Sequence, residues 1–258
     1  MENLASVFYD KMTDEYHLNF KDWDKSIKWQ SEIIDRIIQK YYKRDRKNIS
    51  IYDCSCGIGT QAIGMSLLGY SVYATDISEN EINRAKKEAK RLKADLSFGI
   101  ADFRLIDKQI KNNYDVIISC DNSLPHLLEE IEMYKSLENI YLKLNKEGMF
   151  LASIRDYDGL IEEKPNAMFP YIYDEDVGKR RIVIQIWDWK ENNVYNLSLY
   201  MIKQNGEVCD TTCYYTKYRA YKKDEIFKMM GKIGYKKIEW LMPETTGYYQ
   251  PIIIGFRI

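Results

Sequence analysis

Hydrophobic positions along the chain follow two spacings, which separate predicted helices from predicted strands. In residues 1–45 isoleucines recur every three or four positions behind an aromatic stretch, which predicts amphipathic helix. Short apolar runs then alternate with helical stretches. The predicted strands cover residues 49–53, 71–75, 96–100, 114–120 and 148–154. Three helices are predicted between these strands: one that ends near residue 68, one at 78–92 and one at 131–144. Ser78 with Glu81 predicts a capping box at the start of the second.

Alternation of strand and helix over roughly 100 residues is typical of a parallel sheet covered by helices. After residue 155 the pattern changes to strands that alternate apolar and polar positions. These strands, at 181–189, 194–203 and 211–219, are separated by the turn signals Asn192-Asn193 and Asn205-Gly206. A helix at 224–233 and strands at 236–242 and 251–257 resume the first pattern. We therefore predict one α/β domain, made of an N-terminal helical part (1–45), a core (46–155), an antiparallel β insertion (156–220) and a C-terminal completion of the sheet (221–258).

Composition narrows the class of protein. The 258 residues carry 38 Lys and Arg against 39 Asp and Glu, a net charge of -1, which gives no electrostatic footprint for nucleic acid. No apolar run approaches the roughly 20 residues of a membrane span, and no signal peptide precedes the first charged residues. The five cysteines lack zinc-site spacing, so we expect reduced thiols, no bound metal, no membrane partner and a cytoplasmic protein.

Candidate ligand-binding residues fall at the predicted strand ends. The segment 53–60 joins the first strand to the first helix, where Gly57 and Gly59 allow a tight turn and close approach of a ligand. Asp76 ends the next strand, and a carboxylate there can accept both hydroxyls of a ribose. Asp102 ends the third strand and can accept from an adenine amino group, with Phe103 beside the ring.

The glycine turn distinguishes between two nucleotide cofactors. A dinucleotide fingerprint has three glycines, which place a pyrophosphate on the helix N-terminus. Here Ser55 stands at the first of those positions, and Ala62 and Ile63 occupy the region of the third. This turn favours S-adenosylmethionine (SAM), which carries an amino acid in place of the pyrophosphate.

The chain resembles class I SAM-dependent methyltransferases, whose fold is a Rossmann-like sheet of seven strands, and most closely the glycine and glycine/sarcosine N-methyltransferases. The motifs that carry the resemblance are DCSCGIGT at 53–60, DNSLPH at 121–126, IRDYD at 154–158 and YRA at 218–220. The first motif is common to a vast superfamily, and the second and third are far more selective. The resemblance implies SAM as cofactor and a helical lid over it.

The resemblance also implies roles for individual residues. Asn122 and Arg155 fall on positions that hold the acceptor amino acid, and Tyr173 matches a third acceptor contact. Cys120 and Asp121 lie beside the transferring methyl group. The residues expected at the cofactor are Tyr9, Tyr16 and Trp23 from the lid, with Asp53, Ser55, Gly57, Gly59, Asp76, Ile77, Asp102, Phe103 and Cys120 from the core.

Two of the candidate residues have alternative interpretations. The Arg155 guanidinium can pair bidentately with a substrate carboxylate, or it can form an internal ion pair with Asp156 or Asp158. His126 lies in the loop near the acceptor and can accept a proton, or it can order Asn122 as a structural loop histidine. An amine that loses its proton to water before binding requires no dedicated base.

The leading hypothesis for function is N-methylation of a small amine that bears a carboxylate, as in glycine or sarcosine. The alternative is O- or N-methylation of a natural-product intermediate, with Arg155 binding another anion. A nucleic-acid methyltransferase is disfavoured by the neutral charge, and a non-catalytic SAM-binding module by the retention of Asn122 and Arg155. An insertion rich in Tyr and Trp also offers a surface for a homo-oligomer.

Overall fold

A computed structural model describes residues 4–258 and contains two β-sheets. The strands are β1 Ser50–Asp53, β2 Ser71–Asp76, β3 Ser97–Ile100, β4 Tyr114–Ser119, β5 Leu144–Ser153, β6 Tyr171–Asp176, β7 Lys179–Trp189, β8 Val194–Asn205, β9 Val208–Arg219, β10 Lys236–Leu241 and β11 Ile252–Phe256. The α-helices are α1 Leu4–Met12, α2 Trp23–Tyr41, α3 Thr60–Leu67, α4 Glu79–Leu92, α5 Ile106–Gln109, α6 Glu130–Lys143, α7 Tyr157–Glu163, α8 Lys223–Ile233 and α9 Pro243–Thr246. In this described part of the chain, no helix combines the length and apolarity needed to span a bilayer.

The larger sheet has seven strands in the order β10-β11-β5-β4-β1-β2-β3. Strands β1 to β5 pair in parallel, and β11 runs antiparallel to both of its neighbours. The parallel strands therefore end at one edge of the sheet. The strand order reverses between β1 and β4, because the chain passes from β3 to β4 on the other side of β1. An edge of this kind is where open α/β sheets bind ligands.

The smaller sheet is antiparallel, in the order β6-β7-β8-β9. The turn between β7 and β8 uses Asn192 and Asn193 at φ 55° and 57°, as the sequence predicts. The sequence analysis did not predict β6, because five of its six residues are exposed and its sequence YIYDED has no apolar face to bury. The predicted fold class, a seven-stranded α/β sheet with an antiparallel insertion, is confirmed.

Alternate residues of the parallel strands point to opposite faces, and helices cover both faces. Tyr52 and Phe150 lie in a core with α6 and α8, whereas Ile51 and Leu151 lie in a second core with α2 and α3. Both faces are apolar, as expected for a sheet buried on two sides.

The predicted capping box at the start of α4 is only half formed. Ser78 Oγ accepts from the backbone N–H of Glu81 at 3.0 Å. The Ser78 N–H donates to Asp76 Oδ1 instead, also at 3.0 Å. The expected return bond from the Glu81 side chain is thus replaced by a carboxylate that lies at the end of β2.

Helices α2 and α3 approach so closely that only glycine fits at one position. A Cβ atom built on Gly64 of α3 would lie 2.6 Å from Ser31 Cβ and 2.8 Å from the backbone oxygen of Ile27, both in α2. This contact fixes α2 against the helix that follows the Gly57–Gly59 turn.

We predict that Gly64→Ala lowers the free energy of unfolding by about 1–3 kcal/mol, because the new methyl group must push two packed helices apart. Gly159 in α7 is the matched control: a Cβ there meets no atom within 4 Å. Gly159→Ala is expected to raise stability by about 0.5–1 kcal/mol through helix propensity. Urea denaturation measures both, and equal stability of the two variants would contradict the close packing.

Candidate active site

The turn after β1 has a backbone conformation that requires glycine. Gly57 and Gly59 adopt φ values of 51° and 94°, in the left-handed region that β-carbons disfavour. A Cβ on Gly59 would also lie 2.8 Å from Ile63 Cδ1. The space beside Gly57 is also limited, because Glu81 Oε2 lies 3.2 Å from the position that a Cβ atom on Gly57 would take.

Asp76, at the end of β2, holds this turn in place. Its Oδ2 atom accepts from the Gly57 N–H at 2.9 Å, and its Oδ1 atom accepts from the Ser78 N–H. Burial raises the pKa of the Asp76 carboxyl, and hydrogen bonds from backbone amides oppose that rise. The carboxylate joins β2 to the turn and still lines the cavity in front of both.

A first cavity, with about 810 Å³ of space including its open mouth, lies over the sheet edge. Most of the predicted cofactor residues line it. They are Tyr9, Tyr16, Ser55, Gly57, Asp76, Ile77, Asp102, Phe103 and Cys120, joined by His126.

Three predicted cofactor residues, Trp23, Asp53 and Gly59, lie behind the cavity wall. Trp23 is buried, and its indole N–H donates to Thr60 Oγ1 at 2.9 Å. Asp53 Oδ1 accepts from the Ser55 N–H at 3.2 Å, and burial raises the pKa of Asp53 to about 8. In this structure these residues support the turn from behind.

Asp102 has a cationic neighbour that the sequence analysis missed. Arg104 forms a salt bridge to Asp102 at 2.6 Å and a longer one to Glu132 at 3.3 Å. Arg104 also lines the first cavity. Its place two residues after Asp102 was the available signal, since residues following a strand end commonly share its loop.

A second cavity, with about 1220 Å³ of space, lies between the larger sheet, the antiparallel sheet and the N-terminal segment. It is lined by the three residues expected at the acceptor, Asn122, Arg155 and Tyr173. His126, also expected near the acceptor, lines the first cavity and not the second.

Arg155 has only neutral partners around its guanidinium. One nitrogen lies 3.3 Å from Gln185 Oε1, another lies 3.5 Å from the Tyr195 hydroxyl, and the group stands 4.7 Å from the centroid of the Trp187 ring. Asp156 and Asp158, the alternative partners considered from the sequence, instead pair with Lys223 at 2.6 and 3.3 Å. Within residues 4–258, no carboxylate forms a salt bridge with Arg155.

Asn122 connects the end of β4 to Arg155. Its Oδ1 atom accepts from the Arg155 backbone N–H at 3.0 Å, and its Nδ2 atom donates to the Tyr157 hydroxyl at 2.8 Å. The Tyr157 hydroxyl in turn lies 2.9 Å from that of Tyr195. This buried network fixes the backbone from which the Arg155 side chain extends.

Tyr173 contributes its ring to the second cavity and turns its hydroxyl away. The hydroxyl donates to the backbone oxygen of Asn19 at 3.0 Å, and the Arg181 guanidinium stands 4.9 Å from the ring centroid. The same guanidinium donates to the backbone oxygen of Phe20 at 2.9 Å. These bonds attach the N-terminal segment to the antiparallel sheet.

The two cavities share three lining residues, Tyr9, Tyr16 and Asp121. Asp121 accepts hydrogen bonds from the hydroxyls of Tyr248, at 3.2 Å, and Tyr249. The sequence analysis missed Tyr249 and also Gln185. Both come from segments remote in sequence from every recognised motif, so no local signal marked them.

His126 is held in a setting that keeps its ring neutral. Its Nε2 atom lies 3.0 Å from the Tyr9 hydroxyl, and its ring packs on that of Tyr218 with centroids 4.1 Å apart. Burial lowers the pKa of His126 to about 3, although a hydrogen bond with the Lys217 backbone opposes the shift. The ring links the N-terminal segment to β9.

We predict that the His126 ring does not titrate between pH 5 and 8. In the unfolded chain the pKa is near 6.5, so protons bind the unfolded state preferentially as the pH falls below about 6.5. The free energy of unfolding should then fall by up to about 1.4 kcal/mol per pH unit from this group alone. NMR of the imidazole ring tests the prediction, with His126→Gln identifying the signal, and a midpoint above pH 5 would contradict it.

The sequence is similar to those of known methyltransferases. The profile of the methyltransferase domain family matches residues 51–148, which include the glycine turn, Asp76 and Asp102. A glycine/sarcosine N-methyltransferase from Halorhodospira halochloris is 27% identical over 234 residues, covering 89% of this chain and 82% of the relative. A second enzyme of that name, from Parasynechococcus marenigrum, is 29% identical over 160 residues, covering 59% of this chain and 55% of the relative.

Solved structures share the fold over nearly the whole chain. The CcbJ methyltransferase from Streptomyces caelestis superposes with a TM-score of 0.76 at 12% identity, covering 97% of each chain. A SAM-dependent methyltransferase from Clostridium acetobutylicum gives a TM-score of 0.68 at 16% identity, covering 98% of each chain. The chain is therefore a class I methyltransferase that uses SAM, and it is similar to the glycine/sarcosine N-methyltransferases.

Proposed function

We propose that the protein transfers a methyl group from SAM to the nitrogen of a small amine that bears a carboxylate, with glycine or sarcosine as the type. The observation that carries the proposal is the Arg155 guanidinium, which lines the second cavity and has neutral partners only. Arg155 is half-buried, and a cation that is partly removed from water without a counter-ion is costly. A carboxylate of the acceptor would supply that counter-ion in bidentate geometry.

The first cavity has the polar groups that SAM requires. Asp76 would accept from the ribose hydroxyls, while Asp102 and Phe103 would contact the adenine. Ser55 and the Gly57 turn would face the amino-acid portion, and Cys120 would lie near the sulfur. The Tyr9 and Tyr16 rings, where the cavities meet, suit a sulfonium through cation–π attraction.

The chemistry needs alignment and exclusion of water more than it needs a reactive side chain. SAM supplies a methyl group on a positively charged sulfur, which a nitrogen lone pair displaces in line. Holding two reactants in such alignment is worth roughly 7–11 kcal/mol. The Arg155–Asn122 network would fix the acceptor at one end.

The N-terminal segment would act as a lid over both cavities. It is attached to the antiparallel sheet through Asn19 and Phe20, and Glu15 accepts from the Tyr214 hydroxyl at 2.6 Å and pairs with Lys203. Phe8 and Met12 of α1 are buried against the same sheet. A closed lid would strengthen the electrostatic interactions inside by removing water.

The second cavity also supports a second candidate function, methylation of a bulkier specialised metabolite. Aromatic side chains such as Trp29, Tyr171 and Tyr249 line it, and Trp29 and Tyr249 are exposed. An acceptor with a planar or apolar body could use these rings while its anionic group meets Arg155.

Production of S-adenosylhomocysteine (SAH) from SAM tests the two candidates. Glycine, sarcosine and dimethylglycine come first, followed by larger amines and carboxylates. Turnover with one of the first three supports the small-amino-acid proposal. Turnover only with bulky acceptors overturns it in favour of the second candidate.

We predict that Asp76→Ala weakens SAM binding by roughly 10- to 100-fold, the loss expected for charge-assisted hydrogen bonds. Isothermal titration calorimetry measures the affinity. Asp174→Ala, at an exposed side chain paired with Arg180 on the antiparallel sheet, is the matched control. An unchanged SAM affinity in folded Asp76→Ala protein would remove Asp76 from the cofactor site.

A second prediction concerns Arg155→Lys, which keeps the positive charge and loses the bidentate fork. The KM for the acceptor should rise by roughly tenfold or more, while the SAM affinity changes by less than about twofold. Arg180→Lys, at an exposed ion pair, serves as the control. If acceptor kinetics are the same in both variants, the carboxylate is bound elsewhere.

A further inference from the structure

Two opposite charges that lack ionic partners line the second cavity. Arg155 is the cation described above. Asp121 is the anion: within residues 4–258, no Lys, Arg or His nitrogen lies within salt-bridge distance of its carboxylate. Asn122, the next residue after Asp121, accepts from the Arg155 backbone N–H. A single residue therefore connects the two charges.

The backbone at Asp121 is constrained in a way that fixes the carboxylate. Asp121 and Asn122 adopt φ values of 57° and 64°, the left-handed region that Asp and Asn tolerate better than other side chains. The Asp121 N–H donates to Ser153 Oγ at 2.8 Å. Tyr248 and Tyr249 donate to its Oδ1 atom, and the Gln61 side chain is a further hydrogen-bonding neighbour of the carboxylate.

The carboxylate also lies where the two cavities meet, which is the place where the methyl group must pass from donor to acceptor. Aromatic rings surround this junction: Tyr9 and Tyr16 line both cavities, and Tyr218 and Tyr249 line the second. Carboxylate and aromatic faces together are the surroundings that suit an alkylammonium ion. His126, the other candidate for proton transfer, is a neutral ring with a lowered pKa, and it accepts no proton near neutral pH.

We propose that Asp121 is the ammonium site of the acceptor and accepts the proton that the nitrogen must lose before methyl transfer. This inference rests on the proposed function, because it assigns the amine end of the molecule whose carboxylate meets Arg155. The acceptor would thus bind as a zwitterion across Asp121 and Arg155. Neutral esters and amides of the same amine would lack one of the two contacts.

The step balances in protons and electrons. The N–H bond of the bound ammonium breaks, the proton joins an Asp121 oxygen, and the electron pair stays on nitrogen. That pair forms the new N–C bond while the C–S bond breaks and leaves its electrons on sulfur. The carboxylic acid of Asp121 then returns its proton to solvent when the site opens. Burial raises the pKa of the Asp121 carboxyl, which brings it closer to that of an amine, and the tyrosine hydrogen bonds oppose the rise.

Other titratable groups also face Asp121, and none of them is a cation. Those on neighbouring elements are Tyr16, Tyr218, Tyr248, Tyr249, Cys120 and Asp53. Burial raises the pKa of each of these groups, so the tyrosines and the cysteine stay protonated near neutral pH. The cations that line the second cavity are Arg155 and the exposed Lys21.

Asp121→Asn is the test variant, because asparagine keeps the shape, tolerates the positive φ and can still accept from Tyr249. Calorimetry on the SAH-saturated protein compares sarcosine, which carries both charges, with acetate, which carries only the carboxylate. We expect Asp121→Asn to weaken sarcosine binding by roughly 10- to 100-fold and acetate binding by less than about twofold. Arg155→Lys should weaken both, and Asp174→Asn should weaken neither.

The pH profile of kcat/KM for sarcosine adds a second readout. With Asp121 present, activity needs the carboxylate and the ammonium together, so kcat/KM should form a plateau and fall above the amine pKa. In Asp121→Asn only the free amine reacts, so kcat/KM should rise by roughly tenfold per pH unit up to that pKa. Identical profiles, or equal losses of sarcosine and acetate binding, would overturn the inference.

Two further outcomes distinguish binding of the acceptor's ammonium from a role of Asp121 at the cofactor and from failure of the proposed function. If Asp121→Asn weakens SAM and SAH binding as much as sarcosine binding, the carboxylate serves the cofactor's own ammonium, and the inference is overturned. If the wild-type protein binds neither sarcosine nor acetate in its SAH complex, the proposed function fails first, and the ammonium site fails with it.

Discussion

The hydrogen bond from the Gly57 N–H to Asp76 Oδ2 is the interaction on which the first cavity depends. It joins the ends of two parallel strands through a carboxylate that is nearly buried. Without it, the Gly57 amide would be unpaired and the Asp76 carboxylate would lose one of its backbone hydrogen bonds, which is costly in a dry setting. Because β1 and β2 also end at one edge, this bond places the turn, Ser55 and Asp76 around a common space.

The parallel core could be predicted from the sequence because its signal is local. Apolar runs, turn glycines and strand-end carboxylates such as Asp102 lie within a few residues of one another. The antiparallel sheet was predicted less completely, since β6 carries mostly exposed residues and owes its place to pairing with β7. Trp23 shows a further limit: an aromatic residue in a helix gives no sign of whether it faces a ligand or, as here, the side chain of Thr60.

The second cavity was beyond local prediction for a physical reason. Its wall is assembled from the N-terminal segment, the end of β4, the end of β5 and the antiparallel sheet, so its shape depends on how remote elements pack. Arg155 could be selected from the sequence, yet its lack of an ionic partner follows only from Lys223 drawing Asp156 and Asp158 away. A charge without an ionic partner lowers the stability of the free protein. The same charge makes the site complementary to a ligand of opposite charge.

The attachment of the N-terminal segment has a consequence for how this enzyme class can diversify. Tyr173 and Arg181 both donate to main-chain oxygens, those of Asn19 and Phe20. Bonds to the backbone restrict the path of the chain and leave the choice of side chain open. The side chains at these two positions line the second cavity, and a change of either side chain leaves these two backbone bonds in place. Selection for a new acceptor can therefore act on the cavity wall without dismantling the structure that closes it.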